Sequence, residues 1–152
     1  MALRTQLFHE NFEQCIGQLE DRHIWIREHK SDNAIGNLII HIIGNMQQVV
    51  DRLEERQNNR DRNKEFSIKE GLSKEELQKQ LYRTIKDYSH LLETIPIEKV
   101  SMNYRIMNTD TTVAYALLMA LTHFGLHLGQ IQFITKSILQ EKYKEAVRKI
   151  PR

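Results

Sequence analysis

Residues 33–56 read NAIGNLIIHIIGNMQQVVDRLEER, and their pattern indicates the fold class. Its apolar side chains recur at spacings of three and four residues, which is the repeat of one face of an α-helix. We therefore predict a helix from about Asn33 to Arg56, with Asp32 or Asn33 as its N-cap. The predicted core face carries Ile35, Leu38, Ile39, Ile42, Met46, Val49 and Leu53.

Three further segments show the same helical spacing. The first covers residues 3–19. The next begins with a capping box formed by Ser73 and Glu76 and ends at Pro96, which cannot continue a helix. The last covers residues 113–138 and is the most apolar part of the chain.

Four amphipathic helices bury their apolar faces most simply around one core, which predicts an all-α fold, a four-helix bundle. The connections are residues 21–32, the polar stretch 57–72 and an irregular segment up to about Asp110. A long connection allows consecutive helices to run parallel. Because the second and third connections are both long enough, their lengths leave the topology open.

The composition is typical of one globular domain, residues 1–152, with a net charge of +2. A domain of this size buries roughly two-thirds of its unfolded surface and needs no disulfide or structural metal to fold. Cys15 is the single cysteine and no secretory signal is apparent, so we expect a cytoplasmic protein. The longest apolar run, residues 113–121, is shorter than the ~20 residues that span a bilayer, so we expect no membrane partner.

Charge is distributed evenly except at one end. The C-terminal tail, residues 141–152, carries five basic and two acidic residues. Such a tail can contact phosphate or a membrane surface. Nucleic-acid binders concentrate basic residues on one face, which the rest of the chain does not do, so nucleic acid is not the expected partner.

Two histidines in the last helix have the spacing of metal ligands. In ALTHFGLHLGQI, residues 120–131, His123 and His127 are four positions apart and share one helix face. Both lie at the edge of the predicted core. Two neutral imidazoles buried side by side need partners for their nitrogens, and one divalent cation supplies both. The alternative is a pair of core histidines with separate hydrogen bonds.

His41 interrupts the apolar run Leu38–Ile43 and is expected to be buried. Its position is about 120° from the centre of the apolar stripe, so periodicity alone does not direct it to the bundle axis. A hydrogen-bonded core histidine is one interpretation. The other is a site of three histidines, His41, His123 and His127, with one coordination position left open, as in catalytic zinc sites.

Neighbouring residues could support such a site. Asn37 and Asn45 lie four residues before and after His41, and Gln130 follows His127 by three, so each shares a helix face with a ligand. Gly125 and Gly129 each cost about 1 kcal/mol inside a helix. We expect that a neighbouring helix or subunit approaches closely there.

A di-iron carboxylate site is disfavoured because it needs two Glu-x-x-His pairs and two further inward-pointing glutamates. Only Glu20 and His23 form such a pair, at a helix end, and no glutamate is predicted to face the core. No acidic residue lies near the three histidines in sequence. A general base therefore cannot be named from the sequence, although His90 or Tyr88 could reach the site from the third helix.

The combination of NLIIHIIGN, a long connection and HFGLHLGQI resembles the DinB/YfiT-like superfamily of small bacterial proteins, in particular a branch without assigned activities. The resemblance covers most of residues 1–140. It implies an up-down-down-up bundle with the crossover between the second and third helices. It also implies one divalent cation, commonly zinc or nickel, bound to His41, His123 and His127, and often a homodimer. Some relatives transfer thiols such as bacillithiol or mycothiol.

These observations lead to a functional expectation. The leading hypothesis is a metal-dependent enzyme, a thiol S-transferase, that binds zinc or nickel, with manganese or iron as alternatives. Its partners would be a small-molecule substrate, such as a low-molecular-weight thiol, and a second copy of the chain. A metal-dependent hydrolase would use the same ligands, and a non-catalytic interaction or stress-response module is the alternative from another class.

Overall fold

The structure is a computed structural model that describes residues 1–106 and 109–145. Its described residues form six α-helices and one two-stranded antiparallel sheet. The helices are α1 (Ala2–Ile16), α2 (Ile35–Leu53), α3 (Arg62–Ser67), α4 (Lys74–Thr94), α5 (Ile97–Val100) and α6 (Val113–Leu139). The strands are β1 (Asn103–Ile106) and β2 (Thr109–Thr112).

The four long helices, α1, α2, α4 and α6, contribute to one hydrophobic core. Helix α2 packs against α4 and α6, and α1 packs against the same two helices. The largest side chains of this core, Tyr88, Phe12 and Phe124, are completely buried. The helical class predicted from the sequence is confirmed.

Helix α2 is shorter than predicted, and its predicted N-cap is wrong. The N-cap is Ala34, and the Oδ1 atom of Asn37 accepts a hydrogen bond of 3.1 Å from the Ala34 amide. Asp32 instead accepts a bond of 2.9 Å from the amide of His29. Its carboxylate therefore closes the preceding turn and is not available to α2.

Residues 57–72, which we call the strap, were predicted as a polar loop but contain helix α3. The Oδ1 atom of Asp61 caps α3 by accepting hydrogen bonds from the amides of Asn63 and Lys64. The indole of Trp25 donates a 3.0 Å hydrogen bond to the carbonyl of Leu72 at the end of the strap. The strap is thus attached to the segment that precedes α2.

The segment before α6 departs from the all-α prediction. Strands β1 and β2 pair from Asn103 opposite Thr112 to Ile106 opposite Thr109. Runs of four residues are too short for alternation to reveal them in the sequence. The Oγ1 atom of Thr112 then accepts a hydrogen bond from the amide of Tyr115 and caps α6.

Helix α6 is long and apolar enough to cross a membrane by length and composition alone. The core helix of a soluble protein meets the same criterion, and 39% of the most apolar window is buried against the rest of the protein. The exposed apolar side chains of α6 are Tyr115, Leu118, Met119, Leu126 and Phe133.

The first residues of the basic C-terminal tail contact Gln18, which lies just after the end of α1. The Lys144 amide donates to Oε1 of Gln18, and the Gln18 amide group donates to the Lys144 carbonyl. The rest of the predicted tail, residues 146–152, lies outside the described residues.

Candidate metal centre

Three histidine side chains from two helices converge at one point. His41 lies in the middle of α2 and is 2% exposed, while His127 on α6 is 8% exposed and His123 is half-buried. The Nε2 atom of His123 lies 2.8 Å from Nε2 of His41 and 3.0 Å from Nε2 of His127. All three predicted ligand residues are therefore brought together, with their nearest nitrogens within 4.8 Å of one another.

The outer nitrogens of two of these rings are occupied. Nδ1 of His41 lies 2.7 Å from Oε2 of Glu65, and Nδ1 of His127 lies 2.7 Å from Oε1 of Gln130. A carboxylate oxygen and an amide oxygen only accept hydrogen bonds, so both Nδ1 atoms carry the hydrogen. For His41 the shorter contact decides this, since Nη2 of Arg60, a donor, lies farther from Nδ1 at 3.2 Å. In a neutral imidazole the Nε2 atom then has a free lone pair.

The lone pairs on Nε2 of His41 and on Nε2 of His127 therefore both face the Nε2 atom of His123. A hydrogen on that atom can point fully at only one of them, so the protein alone leaves part of this buried cluster poorly satisfied. One divalent cation would satisfy all three nitrogens. The two shortest distances between the nitrogens, 2.8 Å and 3.0 Å, are close to the roughly 3.3 Å that separates ligand nitrogens around one such ion.

The environment of His41 and His123 keeps these two rings uncharged. Burial, which is the largest cause, acts together with the nearby His127, His41, Arg60 and Arg62 to lower the pKa of His123 to about 4. Burial also lowers the pKa of His41, although Glu65 opposes this effect. Both rings are neutral at pH 7, which is the form that binds metal ions.

Glu65 on α3 is the functional residue that the sequence analysis missed. It is 6% exposed, and Arg60 donates hydrogen bonds of 2.6 Å and 3.1 Å to its two oxygens. Burial alone would raise the pKa of Glu65, but the hydrogen bonds from Arg60 and His41 lower it below the ordinary value. Glu65 is therefore a carboxylate that orients His41.

Three features hold Glu65 against α2. The Asn37 side-chain amide donates 2.9 Å hydrogen bonds to the carbonyls of Glu65 and Ile68. Arg27 donates both to Oδ1 of Asn37 and to the Ile68 carbonyl. At Gly44, a Cβ atom would lie 2.3 Å from Oε1 of Glu65, so only glycine leaves room for this carboxylate.

The strap also explains why periodicity misplaced His41. Helix α2 faces α4 and α6 on one side and is covered by α3 on another. The ring of Phe66 on α3 lies 4.6 Å from the ring of His41, centroid to centroid. His41 is therefore buried between α6 and the strap, although it is off the centre of the apolar stripe.

The other predicted supporting residues have different outcomes. Gln130 contacts His127, as predicted. Asn37 bonds the strap and its own helix cap rather than His41. Asn45 lines a cavity next to His41. Gly125 admits the ring of Phe8, whereas a Cβ at Gly129 would meet no atom within 4 Å.

Neither base considered from the sequence reaches the site. The hydroxyl of Tyr88 donates a 2.5 Å hydrogen bond to the Leu117 carbonyl within the core. His90 is exposed on α4 and does not line the cavity beside the histidines. The signal that could have located Glu65 is Asp61, a helix-capping residue four positions earlier in the strap.

A cavity of about 900 Å³ opens beside the cluster. His41 and His123 lie on its wall, together with Asn45, Gln48 and Tyr104. The site therefore has access for a small molecule at two of its three histidines.

The sequence of the chain matches the model of a known protein family. A family model matches residues 2–152, nearly the whole sequence. The chain belongs to the family described as protein of unknown function (DUF1572). No curated protein matches this member of the DUF1572 family.

One solved structure similar to this DUF1572 protein is described as the crystal structure of the conserved protein of locus from Enterococcus faecalis. The two share 14% sequence identity with a TM-score of 0.80, over 91% of this chain and 94% of the other. At this identity the likeness concerns the fold alone.

Proposed function

We propose that this protein is a metal-dependent enzyme of the DinB/YfiT-like superfamily in which His41, His123 and His127 bind one divalent cation. The observation that carries the proposal is the convergence of three Nε2 atoms while Glu65 and Gln130 occupy the outer nitrogens. Three neutral imidazoles with one open position are the ligand set of catalytic zinc sites. Zinc or nickel is the proposed ion, with manganese or iron as alternatives.

When bound, such an ion lowers the pKa of a water molecule or thiol that occupies the open position. The protein's own residues prepare the ligands. Glu65 holds the hydrogen of His41 on Nδ1, and Gln130 does the same for His127, which leaves both Nε2 atoms free to bind. Arg60 keeps Glu65 anionic and uses both of its oxygens, so Glu65 is a positioning residue rather than a general base.

Transfer of a low-molecular-weight thiol to an electrophile is the reaction we propose, in the cytoplasm. Support comes from the neutral ligand set, which leaves the full charge of the cation to stabilise a thiolate, and from the adjoining cavity of about 900 Å³. Hydrolysis by the same ligands is the second candidate.

The proposed assembly is a homodimer of up-down-down-up bundles. Two observations support it: the connection between α2 and α4 is long enough for a crossover, and α6 exposes a row of large apolar side chains for a second copy to cover. Leu126 is 60% exposed and Phe133 is 71% exposed. Measurement of the molar mass in solution with Leu126→Glu and Phe133→Glu variants tests this assembly.

Metal content tests the central proposal. Tag-free protein should contain about one cation per chain by elemental mass spectrometry, in line with a single three-histidine site. His41→Ala and His127→Ala should lose the cation while remaining folded by circular dichroism. His90→Ala is the matched control, because His90 is exposed on α4, and it should retain the cation. Folded wild-type protein that stays metal-free after incubation with zinc, nickel, manganese and iron would overturn the proposal.

A non-catalytic module would bind a cation without an exchangeable position. Cobalt(II)-loaded protein distinguishes the two classes, because its visible spectrum changes when an added thiol becomes a ligand. A spectrum that no thiol alters would favour the module.

A further inference from the structure

The cavity beside the histidines is lined by more basic than acidic side chains. Five arginine side chains line it, against one acidic side chain, Glu55. The five are Arg52, Arg56, Arg60, Arg62 and Arg105. Arginines in a concave site favour planar anions such as carboxylate and phosphate, which they bind through paired hydrogen bonds.

Three of these arginines have carboxylate partners. Arg60 is bound to Glu65 beside the metal ligands. Arg56 pairs with Glu54 and lies 3.8 Å from Asp51. Arg105 lies 3.5 Å from Asp110, and both side chains are more than half exposed. These three guanidinium groups are therefore largely neutralised within the protein.

Arg52 and Arg62 have no carboxylate partner among the described residues 1–106 and 109–145. The guanidinium of Arg52 lies over the ring of Tyr104 at 4.6 Å and donates a hydrogen bond to the Arg105 carbonyl. The guanidinium of Arg62 lies 5.5 Å from the ring of Phe66. Aromatic contacts orient both groups without neutralising them, so both keep their positive charge for a ligand.

Polar side chains of α2 line the cavity between the histidines and Arg52. Along α2, His41, Asn45, Gln48 and Arg52 all line the same cavity. Arg52 follows His41 by eleven positions on α2, about 16 Å along the helix axis. Arg62, at the start of α3, lies nearer the histidine end, since its guanidinium stands 5.5 Å from the Phe66 ring, which itself lies 4.6 Å from the ring of His41. A ligand of several bonds in length can therefore reach the histidines and these arginines together.

We infer that the cavity takes a small molecule that bears a carboxylate or phosphate group, which Arg52 and Arg62 bind while its other end reaches the three histidines. This inference rests on the proposed function for the role of the histidine end, but the anion site itself consists of separate residues.

The test compares two thiols on cobalt(II)-loaded protein, with the thiolate-to-cobalt absorption band as the readout. Mercaptosuccinate carries two carboxylates, and 2-mercaptoethanol is neutral. Mercaptosuccinate should bind roughly ten-fold more tightly at low ionic strength, and the advantage should shrink in high salt. The double variant Arg52→Gln/Arg62→Gln should lose this preference without a change in its affinity for 2-mercaptoethanol.

Two further variants test whether the double substitution alters the preference for mercaptosuccinate only indirectly. Arg83→Gln removes an exposed arginine of α4 that does not line the cavity, and it should keep the preference. Arg62→Gln alone avoids loss of the Arg52 bond to β1, and it should lose part of the preference. Equal affinity for the two thiols in wild-type protein, or a preference that survives in the double variant, would overturn the inference.

A separate measurement keeps the two proposals distinguishable. Succinate and inorganic phosphate are titrated into metal-free protein by calorimetry, which involves neither a cation nor a thiol. Binding that the double variant abolishes supports the anion site even if no thiol binds cobalt, and the tighter probe identifies the anion. Absence of binding by both probes overturns the anion site, whatever the metal content.

Discussion

His127 and His41 are held by two different kinds of structure. The partner of His127 is Gln130, three residues further along the same helix. The partner of His41 is Glu65, 24 residues away on a separate short helix, which itself depends on Arg60, Asn37 and Gly44. One support follows from helix geometry alone, whereas the other requires the strap to fold back onto α2. Variants can separate the two supports.

Asn37→Ala should have the largest effect on stability. Asn37 is completely buried, and its side chain bonds Ala34, Arg27 and two strap carbonyls. Its loss leaves several buried groups without partners, at about 1–3 kcal/mol each, so we expect a destabilisation of about 3 kcal/mol in total by chemical denaturation. Asn45→Ala is the matched control on the same helix, and it should change the free energy of unfolding by less than about 0.5 kcal/mol. Similar losses in the two variants would contradict the anchoring role of Asn37.

Glu65→Ala should weaken metal binding while the three ligands remain. Loss of a carboxylate partner of a ligating histidine typically costs 10–100-fold in affinity, because the ring loses its orientation and its fixed hydrogen. Competition with a chromophoric chelator measures this change. Glu65→Gln keeps an oxygen that can accept from His41 and should retain more affinity than Glu65→Ala; the reverse order would contradict the positioning role.

Gly44→Ala should reproduce part of this loss without touching Glu65 in the sequence. The added Cβ would stand 2.3 Å from Oε1 of Glu65 and 2.9 Å from Nε of Arg60, so the carboxylate must move away from His41. We expect a loss of metal affinity of about ten-fold by the same chelator assay. Unchanged affinity would show that the strap can shift without releasing His41.

Gln130→Ala tests the local support and should have a smaller effect than Glu65→Ala. The amide of Gln130 is a neutral partner, and hydrogen bonds to neutral groups are weaker than those to a carboxylate. We expect a loss in metal affinity of a few-fold up to about ten-fold. A loss larger than that of Glu65→Ala would reverse the ranking of the two supports.

Gly129→Ala should have the smallest effect and the opposite sign. No atom lies within 4 Å of the added Cβ, and alanine is favoured over glycine in a helix by about 1 kcal/mol. The variant should therefore be slightly more stable in a denaturant titration. Gly125→Ala is the paired control, since its Cβ would stand 2.9 Å from the Phe8 ring, and it should be less stable than Gly129→Ala. Destabilisation by Gly129→Ala would indicate that another surface covers this position.

The sequence predicted what depends on local periodicity. The four long helices, the Ser73–Glu76 capping box and the contact of Gln130 with His127 all follow from spacing along one helix. Local periodicity does not determine the helix in the strap, the hairpin β1–β2 or the N-cap of α2, and the sequence did not predict them. Glu65 lies in a run of charged residues, and only its long-range bonds with Asn37 and His41 distinguish it from a solvated surface residue.

The attachment of the strap has a thermodynamic consequence. Asn37, which bonds the strap, lies one helical turn before His41 on α2, so order in residues 57–72 and cation binding are linked through Glu65. Linkage is reciprocal: if a closed strap raises the affinity for the cation, a bound cation stabilises the closed strap by the same free energy. Amide hydrogen exchange in α3 should therefore slow when the protein is loaded with metal, and α3 would serve as an internal reporter of occupancy.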